Sequence, residues 1–365
     1  MGDFVRLLST GSATAVLLVV AVLILCITVS AMYGTAFVQG RSVSFWPPSI
    51  GERPRPTTVE HGASEGRPSA SVTSTGTDLN PVVDRGTILQ AASGKTYRVS
   101  SAFYGGANAT LYKAEAGDGA TVIAKVYWRG LAPNSPSWEM FQQEQRSSDI
   151  LTHRNIVRTL DRGLRAGYPF TIMEFLGGGT LRDVLRTRDR LPGHDILAIA
   201  SQVAEAIDYA HSRGVLHRDI KPGNVLFESD PNGRVALSDF GIAVILGAVT
   251  RDITAVGGEF AGSSSYLAPE LIIGGGVTRL ADIYSFGVVL YEMISKVVPF
   301  DEHREVLAII RAKVDSDAPD IRQFRADVPP DIAARLARVL ARDPSLRPTS
   351  AHAVLEGLED QVRGL

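Results

Sequence analysis

The apolar pattern of this chain changes period once, and that change limits the possible fold more than any other feature. After about Val82 apolar residues fall into short β-rich runs over 97–100, 109–114, 121–127 and 170–174. Beyond these they recur at helical spacing, as at Ile196, Ile199, Val203, Ile207 and Ala210 within 195–210, and further helices are predicted over 281–294, 304–314 and 331–340. A strand-rich part followed by a helix-rich part predicts an α+β domain of two lobes, assigned to residues 85–360.

Ahead of that domain lies a different chain. No charged residue stands between Arg6 and Arg41, and residues 13–32 (ATAVLLVVAVLILCITVSAM) are long and apolar enough to cross a hydrocarbon core, so a transmembrane helix is predicted within 13–38. A cleaved signal peptide ending near Val29-Ser30-Ala31 is the competing reading; the length of the run and the lone Arg6 before it argue against this. A buried soluble helix would keep a polar stripe, and this run has none. Arg41, Arg53 and Arg55 follow the span, which by the positive-inside tendency places the C-terminal side in the cytoplasm of a single-pass membrane protein. Residues 1–12 are too few for a folded outer sensor, and Arg6 occupies the position where a myristoylation signal carries Ser or Thr. Residues 39–84 are rich in Pro, Gly, Ser and Thr, and cannot bury enough apolar surface to order themselves, so they read as a linker.

Composition excludes some functions. With 45% apolar and 21% charged residues among 365, the chain has room for a sizeable core plus the N-terminal additions. A net charge of -2 supplies no basic field for nucleic acid. The single cysteine, Cys26, permits no intramolecular disulfide and no cysteine-based metal cage.

The residues that carry chemistry are concentrated in the second half. His217-Arg218-Asp219-Ile220-Lys221-Pro222-Gly223-Asn224 is followed, twenty residues after Asp219, by Asp239-Phe240-Gly241 and then by Ala268-Pro269-Glu270. In this order and spacing the three motifs resemble those of the protein kinase family, and the Lys-Pro-Gly-Asn continuation is similar to that of its serine/threonine members, most of all the bacterial Hanks-type group. The resemblance runs from about Tyr97 to Leu358. It implies a two-lobed kinase fold, ATP and Mg2+ as cofactors and protein hydroxyls as acceptors. By the same resemblance Asp219 accepts the hydrogen bond of the incoming hydroxyl, Lys221 offsets charge on the transferred phosphoryl group, and Asn224 and Asp239 hold the metal.

Other positions follow from the same likeness. Val122-Ile123-Ala124-Lys125 is similar to the family's third strand, with Lys125 reaching the α- and β-phosphates, and Glu144, nineteen residues on, is its expected ion-pair partner. Met173-Glu174-Phe175-Leu176 resembles the hinge, with Met173 as gatekeeper and backbone groups of Glu174 and Leu176 facing adenine. Asp282 would brace the catalytic loop, and Arg347 would pair with Glu270. His217 is expected to be architectural rather than a base. Gly274-Gly275-Gly276 follows Ala-Pro-Glu and reads as a connector.

Two departures stand out. Against G-x-G-x-x-G-x-V the chain has Tyr104-Gly105-Gly106-Ala107-Asn108-Ala109-Thr110-Leu111, so only Gly106 keeps its motif position, with Gly105 beside it. Ile123 stands where the family has a small residue over adenine. Both predict weaker nucleotide binding. The expected function is that of a membrane-anchored serine/threonine protein kinase that phosphorylates itself. The alternative is a pseudokinase acting as a membrane-tethered interaction module, against which stands the retention of Lys125, Glu144, Asp219, Asn224 and Asp239. Arg218 beside the catalytic Asp219, together with Thr250 and Thr254 in the activation segment, suggests a phosphate-ordered loop. The small-molecule phosphotransferase class is disfavoured because an activation segment and Ala-Pro-Glu belong to kinases of protein substrates.

Overall fold

Strands β1 (Ile88–Gln90), β2 (Thr96–Gly105), β3 (Ala109–Ala116), β4 (Thr121–Tyr127), β5 (Thr159–Arg165) and β6 (Tyr168–Glu174) pair antiparallel in the order β1-β2-β3-β4-β6-β5. The computed structural model describes residues 83–105, 109–127, 149–230, 233–240, 264–302 and 305–365. These belong to the compact unit Ser74–Leu365. The predicted span and linker lie outside the described residues, among which no helix is long and apolar enough to cross a membrane.

Period-two alternation decides what each strand face does. In β4, Val122, Ala124 and Val126 join Leu89, Tyr97, Val99, Phe170 and Ile172 in one core, which leaves Ile123 and Lys125 on the opposite face. Each large side chain buried there contributes about 1.5–3 kcal/mol. The β5–β6 connection has two residues, Ala166 and Gly167, both at positive φ (49° and 83°), as a hairpin of matching twist requires. At Gly163 in β5 an added Cβ would lie 2.5 Å from the Phe170 ring and 2.9 Å from the Gln90 carbonyl, so β1 can approach β5 only over a glycine.

The second lobe is helical: α1 (Leu181–Thr187), α2 (Gly193–Ser212), α3 (Pro269–Ile272), α4 (Arg279–Ser295), α5 (Val306–Asp315), α6 (Pro330–Val339), α7 (His352–Leu355) and α8 (Glu359–Arg363). Helix α1 begins in a capping box, in which Thr180 and Asp183 satisfy each other's backbone amides. Helix α4 is buried along almost its whole length, with Asp282 and Ser285 among its buried residues. At Gly287 an added Cβ would come 2.3 Å from Val339, so α4 and α6 cross at a distance only glycine allows. A two-stranded ribbon, β7 (Val225–Phe227) with β8 (Val235–Leu237), lies between the catalytic-loop motif and Asp239. All four predicted strands and all four predicted helices are present, the strand over 121–127 with the predicted ends and the others with at least one end shifted.

Candidate active site

The segment 217–224 is held from below by one buried carboxylate. Asp282, on α4, accepts from the backbone amides of His217 (2.9 Å) and Arg218 (2.8 Å), and its Oδ2 lies 2.8 Å from His211 Nε2 on α2. Arg218 adopts a left-handed backbone (φ 69°), a conformation that costs about 1–3 kcal/mol outside glycine and persists only where the surroundings impose it. Its Nε is buried and makes no hydrogen bond among the described residues.

His217 is 1% exposed. Its Nε2 meets the Ser238 carbonyl at 2.9 Å and its Nδ1 accepts from the Asp219 amide at 3.2 Å, so the ring is a neutral Nε2–H tautomer with both nitrogens engaged. Burial lowers its pKa, which keeps it uncharged. The ring also packs on Phe240, with centroids 4.5 Å apart. These contacts leave His217 no proton-transfer task.

The ribbon brings the two candidate metal ligands together. Val225 opposes Leu237, so Asn224 just before β7 stands beside Ser238 just after β8, and the Ser238 amide donates to the Asn224 carbonyl at 2.9 Å. Asp239 is next, again left-handed (φ 62°), which aspartate tolerates better than most residues. Asn224 Nδ2 donates to the Asp219 carbonyl (2.7 Å) and to Asp219 Oδ2 (3.0 Å). Both donors being used, the amide orientation is fixed and Oδ1 is the atom left for a cation. The Asp239 carboxylate is the second such oxygen donor. Hard oxygen ligands in so small a number suit Mg2+ shared with substrate phosphates rather than a full protein cage. Among the described residues no group of three or more His, Cys, Asp or Glu could hold a metal by itself.

Around this pair the charges alternate. Lys221 Nζ donates to Asp219 Oδ2 at 2.6 Å, which leaves Asp219 Oδ1 open. Lys125, from the opposite face of β4, reaches Asp239 Oδ1 at 2.8 Å. Burial raises the Asp239 carboxyl, but Lys125, and after it Lys221, outweigh it and hold it below the usual carboxylate range. Lys125 with Asp239, and Lys221 and Asn224 with Asp219, thus form two hydrogen-bonded groups that the backbone bond between Ser238 and Asn224 brings side by side.

The strand register also places the nucleotide-facing candidates. Leu111 and Thr171 stand opposite Lys125, while Ile123 is paired with Met173 across β4 and β6. At the hinge the Glu174 amide donates to the Arg158 carbonyl (3.0 Å), and its carboxylate is held by Arg234 (2.7 and 3.1 Å) and the Arg158 amide (2.9 Å). Neither that amide nor that side chain is free to face adenine. Leu176 makes no backbone hydrogen bond among the described residues. Tyr104 stands in β2 opposite Leu111 with an ordinary strand backbone, and its side chain is largely exposed rather than folded into the cleft. Gly105 ends the same strand, and an added Cβ there would meet nothing within 4 Å.

Glu270 and Arg347 form a buried two-pronged pair at 2.7 and 2.9 Å, with the guanidinium also donating to the Ala341 carbonyl and lying over the Tyr284 ring. Glu144, Gly106, Thr250 and Thr254 lie outside the described residues. The sequence reading missed His211, which meets Asp282, and Lys313 on α5, whose Nζ donates to the carbonyls of Ser265 and Leu267. A histidine or lysine within a helical run carries no signal that distinguishes a buried cation from a solvated one.

Residues 100–357 match the protein kinase domain family. Curated relatives include the serine/threonine-protein kinase PknL of Mycobacterium tuberculosis, 34% identical over 60% of this chain and 53% of its own length. PrkC of Bacillus subtilis is 32% identical over 68% of this chain and 38% of its own. A probable kinase of Bifidobacterium longum, pknA2, is 32% identical over 72% and 34%. The chain therefore spans about half or less of these relatives. In three dimensions it is similar to the kinase domain of Mycobacterium tuberculosis PknI, with TM-score 0.59 and 27% identity over 77% of this chain and all of that one. The chain belongs to the protein kinase family, in its bacterial Hanks-type branch.

Proposed function

We infer that this chain transfers the γ-phosphoryl group of ATP to serine or threonine hydroxyls of proteins, from a site at the cytoplasmic face of a membrane that its N-terminal span anchors. The observation that carries the catalytic part is the pair of groups Lys125–Asp239 and Lys221–Asp219–Asn224, in which each carboxylate is held by a lysine at hydrogen-bond distance. Phosphoryl transfer needs placement of charge more than covalent help, and this is an arrangement that supplies it.

Asp219, through its open Oδ1, accepts the hydrogen bond of the acceptor hydroxyl and orients its oxygen toward phosphorus. As the new oxygen–phosphorus bond forms and the bond to the β-phosphate bridge oxygen breaks, the hydroxyl proton leaves toward Asp219 and ADP departs with the bonding pair. Lys221 fixes the Asp219 carboxylate and offsets charge on the moving group. Lys125 holds the α- and β-phosphates, and Glu144 steadies it in the nucleotide-bound state. Asn224 Oδ1 and the Asp239 carboxylate are the magnesium ligands; the bound metal would neutralise phosphate charge. Leu176 and the Ile123–Met173 pair enclose the adenine. Protein substrate incubated with labelled ATP, followed by phosphoamino-acid analysis and with Asp239→Asn as control, tests the reading. Label on serine or threonine that disappears in the control supports it, and label on tyrosine alone contradicts it.

Membrane anchoring rests on the uncharged run at 13–32 and the arginines after it. Protease added to intact cells should leave the catalytic domain uncut, and digestion from outside would reverse the topology. Autophosphorylation at Thr250 or Thr254 draws on Arg218, whose Nε, next to the candidate catalytic Asp219 and without a hydrogen bond among the described residues, could receive a phosphate of charge about -1.5 to -2. Mass spectrometry of active protein should find phosphate on one of these threonines, and the double alanine variant should lose activity.

A further inference from the structure

Gly223 lies four residues after Asp219 and directly before Asn224, whose side chain donates to Asp219. A Cβ built on Gly223 would sit 3.5 Å from Arg182 Nε and 3.7 Å from Nη2. The guanidinium of Arg182, projecting from α1, therefore lies against the catalytic loop in the room that the missing side chain leaves.

Arg182 is exposed, and among the described residues it makes no hydrogen bond and no ion pair. The acidic groups that could have neutralised it are committed elsewhere. Asp183 Oδ2 closes the capping box with Thr180. Glu292 accepts the Tyr266 hydroxyl at 2.6 Å; burial pushes its carboxyl up, although Arg182 acts on it in the opposite sense. Of the other cations at this face, Lys296 is turned inward to the carbonyls of Leu185 and Arg188. Among the described residues Arg182 is thus an unpaired, planar, fork-shaped cation facing solvent beside the catalytic loop; Arg186, one turn along α1, is exposed and unpaired as well.

We propose that Arg182 is a specificity-determining residue that selects protein substrates carrying an aspartate or glutamate close in sequence to the phosphorylated hydroxyl. A guanidinium pairs with a carboxylate through two parallel hydrogen bonds, and an arginine in the substrate would meet like charge instead. The inference rests on the protein kinase reading and names the substrate class of that site.

The test uses the full chain and peptide pairs that differ only by Glu or Arg at each position within a few residues of a single serine or threonine. For wild type, Arg182→Ala and Arg182→Glu, kcat/KM for transfer from labelled ATP is measured, with thermal melts to show that each variant folds. Wild type should favour the acidic member of at least one pair by about tenfold, a ratio that corresponds to about 1.4 kcal/mol. Arg182→Ala should abolish that preference and Arg182→Glu should turn it toward the arginine peptide. An equal acidic preference in all three proteins, or none in wild type, overturns the proposal. A changed KM for ATP with an unchanged peptide ratio would assign Arg182 to the nucleotide and overturns it too. Wild type that transfers phosphate to no peptide would instead contradict the kinase reading, and with it this one.

Discussion

Lys125 Nζ and Asp239 Oδ1 lie 2.8 Å apart, so that a strand of the sheet lobe and the residue two past the end of β8 in the helical lobe are joined by an ion pair across the cleft. Lys125→Met removes the largest of the charges that oppose burial at the Asp239 carboxyl. Turnover should fall by about 10²–10³-fold while the circular dichroism spectrum is unchanged, since the lysine acts on charge rather than on core packing.

The same pair has an acid signature. The Asp239 carboxyl is held below its ordinary value of 3.8 in the folded protein, so its contribution to stability is fully present above that value and is lost as pH falls through the lower folded one. In Lys125→Met the loss should begin at higher pH. Thermal melts of both proteins between about pH 3 and 6 read this directly; parallel curves would show that the pair has no part in acid unfolding.

Asp282 should be costly to remove. Asp282→Ala strands the amides of His217 and Arg218 and the ring of His211 together, at about 3–5 kcal/mol of stability by denaturant titration. Asp282→Asn keeps an acceptor and should retain part of it. A loss below about 1 kcal/mol for the alanine variant would mean that the loop holds its shape without the carboxylate.

Lys313 gives a second titration test, at alkaline pH. Its ammonium is fully buried, and that burial lowers the pKa to about 7 from 10.5, with the Ser265 and Leu267 carbonyls and the Tyr284 ring as its surroundings. Above pH 7 the folded state holds fewer protons here than the unfolded state, so this group makes stability rise with pH up to 10.5 and fall as pH drops toward 7. Denaturant titrations at rising pH should show wild type gaining on Lys313→Met by up to about 1.4 kcal/mol per unit. Equal slopes would show that Lys313 titrates as an ordinary surface lysine.

Ile123, paired with Met173 across β4 and β6, is buried on the face of β4 that carries Lys125, whereas Tyr104 is largely exposed. Ile123→Ala alone should therefore lower the KM for ATP, and adding Tyr104→Gly should change it little. An effect confined to the double variant would place Tyr104 over the nucleotide after all.

The chemistry of the site was legible because motif spacing survives in one dimension: Asp219, Lys221, Asn224 and Asp239 lie on a loop and a ribbon that follow one another directly. Apolar residues recurring at helical spacing made α2 and α4 readable for the same local reason. Strand β5, with the sequence TLDRGLR, escaped notice because its polar residues hide any alternation, and its place comes from pairing with β6. Helix α1 was missed although Thr180 and Asp183 mark its capping box. Lys125 meeting Asp239, and Arg182 meeting Gly223, join segments far apart in sequence, and only the packed fold brings them together.

Single-turnover transfer of the γ-phosphoryl group from ATP to a serine- or threonine-containing protein, compared between wild type and Asp219→Ala, tests the central claim most directly. The account predicts rapid incorporation by wild type and a loss of at least about 10²-fold in the variant, with nucleotide binding preserved. Equal rates in the two proteins, or no transfer by wild type that nonetheless binds ATP and magnesium, would contradict it.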